Sequence, residues 1–321
     1  MSVCLVLSSL NLDGVCEFLA SLYHCRGAGR KPYNPISMLK AQLLKYLLRV
    51  PSDRRLALLL KSNSEMAKAC AFKNETPSHG LFTQFRNRLG RDGYEKVFHM
   101  LLKHLSDRGV VKGEVVAVDS TAIKAYSQRD LENKRGKSDP DARVGRGRRG
   151  FILGYKVHTV CCVDSEMPLA FIVESCNVNE KRLVKPLLEK LKSRGVSFKT
   201  VLADAQYDST DAREIIKEYC AEPVIPYRKS SRIKRALIVG HDFVIQGVRR
   251  LVSLFRKRVS IERVFSRAKE WLLLEHLRVR GLEQVFIHVC LSFSAMLIVA
   301  LTAAKQRQPS LMRSLKHYIA Q

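Results

Sequence analysis

The chain has 321 residues, which is enough for two or three domains with substantial cores. Its 56 lysines and arginines against 30 aspartates and glutamates give a net charge of +26; this favours nucleic acid as partner, and a membrane surface less, because the basic residues are not confined to one helix or tail. Nine cysteines without paired spacing argue against a disulfide-stabilised secreted protein and indicate reduced thiols in a cytosol.

The amino-terminal third is predicted to be helical. Residues 1–10 are apolar but lack the basic segment of a signal peptide. Residues 30–95 contain three or four short periodic helices, and the last of them carries Arg86 and Arg88 on its polar faces. Such a helix is typical of helix-turn-helix domains, where polar side chains contact base edges and phosphates, although solvated helix faces have a similar composition. We assign residues 1–95 to a helical DNA-binding domain.

The pattern changes after a predicted linker helix at 96–113. A β-branched run at 114–118 predicts a first strand that ends at Asp119. Residues 127–150 are polar and glycine-rich, with eight basic and four acidic side chains, and they predict a loop that meets a phosphate backbone. The candidate contacts in it are Arg148 and Arg149.

Strands and helices alternate after this loop. Strands are predicted at 152–163, 168–174, 199–203 and 223–226, and helices at 180–192 and 211–218. The strand at 199–203 ends at Asp204. Because antiparallel strands come first and parallel β-α units later, the expected fold class is α/β (α+β), with a mixed sheet flanked by helices.

A single amphipathic helix is predicted over 255–269, since its apolar residues recur at spacings of three and four and nothing in it breaks a helix. Glu262 lies on a separate stripe of this helix with Phe255, Arg258 and Lys269. Thirteen basic residues stand between positions 228 and 269 against two acids, so a carboxylate here invites an explanation. The simpler interpretation is an ion pair between Arg258 and Glu262 on successive turns.

Residues 285–304 are long and apolar enough to span a bilayer. Polar residues such as His288 and Thr302 interrupt the run. We therefore interpret it as a buried core helix rather than a membrane span, and assign residues 281–321 to a carboxyl-terminal buried helix and basic tail.

Three acids are predicted to meet at one edge of the sheet. Asp119 and Asp204 follow strands whose carboxyl ends share that edge, and Glu262 arrives on the last predicted amphipathic helix. Oxygen ligands suit Mg²⁺ or Mn²⁺, and two such ions would activate a water or a 3′-hydroxyl and stabilise the leaving oxygen of a phosphodiester. One aspartate at a strand end is more often a turn former, but three acids at matching positions in so basic a chain favour a metal site for DNA chemistry.

The residues around these acids form a recognisable pattern. The chain resembles the DDE transposases of prokaryotic insertion sequences, in the broad group numbered four and five. The similar blocks lie at 29–90, at 118–121 around Asp119, at 154–158, and at 202–208 around Asp204. The group's third block is tyrosine, two residues, arginine, three residues, glutamate, six residues, lysine. Here it reads Phe255, Arg258, Glu262, Lys269, with the tyrosine replaced.

The resemblance implies a ribonuclease H-like catalytic core over 114–280. It implies metal-dependent cleavage at terminal inverted repeats and strand transfer into target DNA by a homodimer on DNA, in a prokaryotic cytoplasm. The implied roles are metal binding by Asp119, Asp204 and Glu262, and phosphate contact by Arg258 and Lys269.

Two residues of the 154–158 block have no assigned role. Tyr155 and His158 are expected near the site, although a histidine on a strand is usually structural. The alternative function is a catalytically inactive, sequence-specific DNA-binding protein derived from a transposase.

Overall fold

The computed structural model describes residues 2–10, 13–22, 31–147, 150–226 and 246–319. Its amino-terminal part is helical, as predicted. The helices are α1 (Ser2–Ser8), α2 (Asp13–Ser21), α3 (Pro35–Leu47), α4 (Asp53–Ser62), α5 (Ser64–Ala69) and α6 (His79–Asp107). Helix α1 belongs to the core, since Val6 and Leu7 are fully buried, as is Leu10 just beyond it.

Side-chain caps fix where these helices begin. Asn34 accepts a hydrogen bond from the amide of Ile36, and Pro35 occupies the first helical turn of α3. Ser52 caps α4 in the same way, accepting a hydrogen bond from the amide of Arg55. Each cap satisfies an amide that the helix itself leaves without an acceptor.

Helix α6 joins two segments that were predicted as separate helices. Gly90, at φ +61°, introduces a kink between them, in a conformation that only glycine adopts without strain. Beyond the kink, Val97, Phe98 and Leu101 are buried. The predicted linker is thus a packed element of the core.

A six-stranded mixed sheet follows. Its strands are β1 (Val115–Lys124), β2 (Arg143–Gly147), β3 (Gly150–Cys162), β4 (Pro168–Ser175), β5 (Thr200–Ala203) and β6 (Glu222–Val224). The order is β2-β3-β1-β5-β6, with β4 also paired to β3. Strands β1 to β4 pair antiparallel, whereas β1, β5 and β6 run parallel. The expected mixed sheet with antiparallel strands first is therefore confirmed.

Two strand predictions were wrong in extent. Asp119 does not end β1, because the strand continues to Lys124 through its pairing with β3. Residues 127–150 are not wholly loop, because β2 lies within them. The sequence of β2 lacks the alternation of apolar and polar side chains that would predict a strand. Its position is fixed by backbone pairing with β3 and by the close packing of Gly145.

The remaining helices cover the sheet and complete the core. They are α7 (Val184–Ser193), α8 (Thr210–Glu218), α9 (Gln246–Arg256), α10 (Val259–Trp271), α11 (Leu282–Lys305) and α12 (Leu315–Ile319). A 3₁₀ turn (Glu180–Leu183) precedes α7, where α-helix was predicted.

The single helix predicted over 255–269 is divided in the structure. Helix α9 ends at Arg256 and α10 begins at Val259, with i to i+3 hydrogen bonds across the junction. No proline or glycine causes the break. Instead, α9 packs against β5 and β6 while α10 packs against β1 and β3, so tertiary contacts override the local helical pattern.

Helix α11 is the centre of the molecule. It is long and apolar enough to cross a membrane, yet its apolar stretch is entirely buried in the fold, as interpreted from its polar residues. It packs against α3, α6 and β4. Phe171 of β4 contacts Phe98 of α6 and both Phe286 and Phe293 of α11, with ring centroids 5.0–5.3 Å apart. The amino-terminal helices and the sheet therefore share one core.

Candidate active site

Asp119 lies where two kinds of strand pairing separate. The parallel pairing of β1 with β5 ends at Val118 and Ala203, while β1 goes on along β3. The Asp119 carboxylate accepts hydrogen bonds from its neighbour's amide, Ser120 N, at 2.7 Å and from Arg258 Nη1 at 3.1 Å. Burial raises its pKa to about 6, with further increases from the charges of Asp204 and Glu262. Asp119 is therefore poorly disposed to carry a charge without a cation.

Asp204 reaches the same edge from β5. It follows Ala203, the register partner of Val118, so Asp119 and Asp204 leave paired positions on adjacent parallel strands. Its side chain caps a 3₁₀ turn (Ala205–Tyr207), accepting from Gln206 N at 2.8 Å. The register of β1 and β5 therefore places Asp119 and Asp204 next to each other at one edge of the sheet.

Glu262 arrives from α10, and Arg258 connects it to the sheet. Arg258 Nη2 lies 2.5 Å from Glu262 Oε1, while Nη1 of the same guanidinium binds Asp119. The ion pair of the simpler interpretation therefore exists, but as half of a bridge between two of the three predicted acids. Phe255 flanks it, with the guanidinium 5.7 Å from the ring centroid.

Comparison with known proteins gives the same reading of the chain. Residues 111–298 match the family described as Transposase DDE domain, which is more than half of the chain, and residues 3–88 match a family described as Transposase domain (DUF772). The chain belongs to the DDE transposase family. No curated protein matches it significantly by sequence.

Solved transposases share the fold. The piggyBac transposase, in a synaptic complex with hairpin DNA, aligns over 99% of this chain and 79% of its own, with 9% identity and a TM-score of 0.51. The Mos1 transposase in a paired-end complex aligns over 78% of this chain and 82% of its own, with 9% identity, but its TM-score of 0.23 is too low to add to the argument. The first likeness supports the ribonuclease H-like fold of this transposase.

The oxygen donors at the site fit a hard divalent cation. In the structure, the guanidinium of Arg258 supplies the positive charge that such a cation would bring. Asp119, Asp204 and Glu262 offer only carboxylate oxygens, the ligands that Mg²⁺ and Mn²⁺ prefer. Across the described ranges, no three His, Cys, Asp or Glu side chains are close enough to hold one ion. Arg258 instead neutralises two of the three acids. Metal binding by all three therefore requires Arg258 to release them.

A second polar cluster beside Asp119 was missed in the sequence. Glu180 accepts from Ser120 Oγ at 3.2 Å and from the ammonium of the buried Lys156 at 2.7 Å. His158, paired with Ser120 across β1 and β3, is fully buried with no hydrogen-bond partner among the described residues, and burial lowers its pKa to about 4. Of this cluster, only His158 was expected near the site from the sequence; Glu180 and Lys156 were not singled out, because their contact depends on how β3 and the Glu180 turn meet in the fold.

Tyr155 has a structural position away from the three acids. Its hydroxyl donates to Asp139 Oδ1 at 2.6 Å, and the same oxygen accepts from Gly281 N at 3.1 Å. The residue therefore ties the 127–147 segment of the transposase to the start of α11. Nothing in this arrangement brings it to the Asp119 carboxylate.

Lys269 lies about two turns beyond Glu262 on α10. It forms an ion pair with Glu275, which is half exposed. Its ammonium is thus engaged by a surface carboxylate that a phosphate group could replace, and its phosphate role stays a prediction.

Arg86 departs from the predicted recognition role. It is turned inward, where its guanidinium binds Asp53 of α4 at 2.7 Å and Thr83 at 3.1 Å. The helical pattern could not show this, because Asp53 lies on another helix. Arg88 is exposed, as a DNA contact requires. Arg148 and Arg149 lie outside the described residues.

Proposed function

We propose that this transposase cuts DNA at the terminal inverted repeats of a mobile element and joins the freed ends to target DNA, acting as a dimer on the DNA. The single observation that carries the proposal is the bridge of Arg258 between Asp119 and Glu262, beside Asp204 on the adjacent strand. Family membership supplies the reaction class, and a net charge of +26 supplies the attraction for a polyanion.

Divalent metal ions, Mg²⁺ or Mn²⁺, would be held by Asp119, Asp204 and Glu262. Bound there, they would activate the attacking water or 3′-hydroxyl and stabilise the leaving oxygen. The chain's own contribution is a set of neighbouring acids: burial, and after it the charges of Asp204 and Glu262, raises the pKa of Asp119. A cation would neutralise these acids in both states. Without DNA it is the guanidinium of Arg258, and with DNA bound it would be the metal.

Arg258 has the second role in this scheme. When DNA is bound, its guanidinium leaves the carboxylates and binds a phosphate of the element end, for which its planar fork of donors is suited. Phosphate would also displace Glu275 from Lys269. Binding of DNA and opening of the acids to metal are then one event, which keeps the nuclease closed until substrate is present.

DNA recognition by the amino-terminal helices is revised by the position of Arg86. Its ion pair with Asp53 holds α6 against α4, and base or phosphate contact falls to exposed neighbours such as Arg88. We expect Arg88→Ala to weaken binding to element ends and Arg86→Ala to destabilise the fold instead.

The first test is cleavage by acid-to-amide variants. In Mg²⁺, Asp119→Asn and Asp204→Asn should lose cleavage of a plasmid carrying the inverted repeats that flank the reading frame, by orders of magnitude, since charge stabilisation by metals supplies much of the barrier lowering. Binding to end DNA should persist. Asp211→Asn, a change to an exposed acid at the start of α8, is the matched control and should cut normally.

The same assay separates the competing functions. A wild-type protein that binds the repeats but never cuts would be the inactive DNA-binding descendant. One that cuts without inserting would be a nuclease. Full cleavage by either amide variant would remove the three acids from the mechanism.

A further inference from the structure

The β2–β3 ribbon carries a strongly exposed aromatic residue, Phe151. Phe151 is 77% exposed, whereas every other phenylalanine in the described ranges is buried or half-buried. It pairs directly across the ribbon with Arg146 of β2, which is exposed and has no ion-pair partner among the described residues. Cross-strand partners project from the same face of a sheet, so an aromatic ring and a guanidinium stand side by side in solvent.

The base of this ribbon is firmly attached to the rest of the sheet. A Cβ on Gly145 would lie 2.0 Å from the carbonyl oxygen of Cys176, and one on Gly154 would lie 2.0 Å from that of Ile123. Only glycine allows backbones to approach so closely. The ribbon is therefore held against two neighbouring segments before it projects.

The ribbon projects from the end of the sheet where the acids lie. Strand β3 runs antiparallel to β1 and Gly154 pairs with Lys124, the last residue of β1, so residues 150–153 extend past the carboxyl end of β1, the same end from which Asp204 leaves β5. Thr159 is the partner of Asp119, and Phe151 precedes it by eight residues on the same face of β3. At a rise of roughly 3.3 Å per residue, Phe151 lies about 26 Å from Asp119 along the strand.

We propose that Phe151 inserts between base pairs of the bound element end while Arg146 holds the adjacent phosphate. The inference rests on the proposed function, because the scissile phosphate must sit at Asp119. DNA is the occupant that the charge favours: this ring stands beside the guanidinium of Arg146, directly after the 127–150 segment with its eight basic and four acidic residues. Apolar side chains that insert at a base step and kink the duplex are a known mode of DNA binding. With DNA running along the ribbon, the distorted step lies about seven or eight base pairs from the cut.

The two side chains should leave different signatures in binding. Phe151→Ala removes a stacking contact and should weaken binding by about ten- to a hundredfold, with the salt dependence unchanged. Arg146→Ala removes a phosphate contact and should lower the slope of log Kd against log salt by about 0.9. Phe151→Trp should keep wild-type binding. Leu131→Ala changes another apolar side chain, 76% exposed in the same basic segment, and is the matched control.

The location is tested with 2-aminopurine, which fluoresces when it is unstacked. Full-length protein is titrated against duplexes of the flanking inverted repeat with the probe at successive positions, and dimerisation is followed in parallel. Wild type, Phe151→Trp and Leu131→Ala should enhance fluorescence about seven or eight base pairs from the cut, and Phe151→Ala should not.

Three outcomes would overturn the proposal. Phe151→Ala could retain the enhancement and the affinity. It could lose dimerisation with its DNA contacts intact, which would assign Phe151 to a second copy of the chain. Wild type could show no enhancement at any base step while cutting normally, which would refute the insertion of Phe151 and leave the proposed function unaffected. Failure of wild type to cut would instead refute the proposed function.

Discussion

Arg258 is the residue on which the state of the candidate site depends. Its guanidinium forms ion pairs with both Asp119 and Glu262, and its side chain is only 18% exposed. The pKa of Asp119 is about 6 even in its presence. Because that pKa lies above the unfolded value of roughly 4, the carboxyl group contributes stability at low pH that is lost as pH rises from about 4 through 6.

Removing the guanidinium should enlarge this loss. Without metal, Arg258→Ala should melt earlier than wild type at pH 8 and nearly match it at pH 4, because two carboxylates lose their cation only where they are charged. Mg²⁺ should then raise its Tm more than that of wild type. Arg256→Ala, an exposed change two residues away, is the control. Equal melting of Arg258→Ala and wild type at pH 8 would contradict the bridge.

Helix α10 is fixed in place by ion pairs on a different face from the one that carries Glu262. Glu166, in the turn between β3 and β4 at φ +53°, binds Arg263 at 2.8 Å and Arg267 at 2.9 Å, both on α10, and Arg313 at 3.2 Å. The Glu166 side chain is 4% exposed and that of Arg267 is 15% exposed. These pairs fix the orientation of the helix that presents Glu262 to the sheet.

Glu166→Gln should therefore damage both stability and catalysis. It leaves the guanidinium of Arg267 buried without its countercharge, a change that costs about 3–5 kcal/mol. Arg263 is 62% exposed, so Arg263→Ala, the control, should cost less than about 1 kcal/mol. Urea unfolding measures both. In the folded fraction, Glu166→Gln should bind end DNA but cut slowly. Wild-type stability for this variant would show that the ion pairs of Glu166 do not hold α10 in place.

The sequence was informative where the determinant was local or periodic. The strand before Asp204 was predicted from its own residues, and the spacing of Arg258 and Glu262 identified the family block. It failed where the determinant lies far along the chain. The residues around Arg86 do not indicate its ion-pair partner on α4. Those around Arg267 do not indicate its ion pair with Glu166, 101 residues away. The break between α9 and α10 likewise follows from which strands each helix meets.

At the scale of the whole molecule, His288 links three distant parts. Its Nδ1 lies 2.9 Å from the Tyr46 hydroxyl of α3, and its Nε2 lies 2.9 Å from the carbonyl oxygen of Leu273, just after α10. A carbonyl can only accept, so Nε2 carries the proton and Nδ1 accepts from Tyr46. Burial lowers the His288 pKa to about 4. The neutral ring thus ties the amino-terminal helices to the end of the helix that bears Glu262.

Acid should loosen this link. With a folded pKa below the unfolded value of roughly 6.5, His288 supports folding above pH 6.5 and loses that support as pH falls towards 4, by roughly 3 kcal/mol. His288→Leu should be less stable at pH 7, because two polar groups lose their partner, yet should lose less on going to pH 5. Part of the slope should remain through His158, whose pKa is also about 4. Urea unfolding at both pH values measures this, with exposed His79→Gln as control; an unchanged slope for His288→Leu would refute it.

Helix α11 has a consequence for how the protein is made. The amino-terminal helices and the sheet both pack on it, and it begins only at Leu282. Folding during synthesis proceeds from the amino terminus, so neither half can close its core until the ribosome has translated nearly everything that the site requires. A chain interrupted before that helix would expose apolar surface from both halves and be degraded or aggregate. Incomplete translation should therefore yield no partly active nuclease to break the host's chromosome.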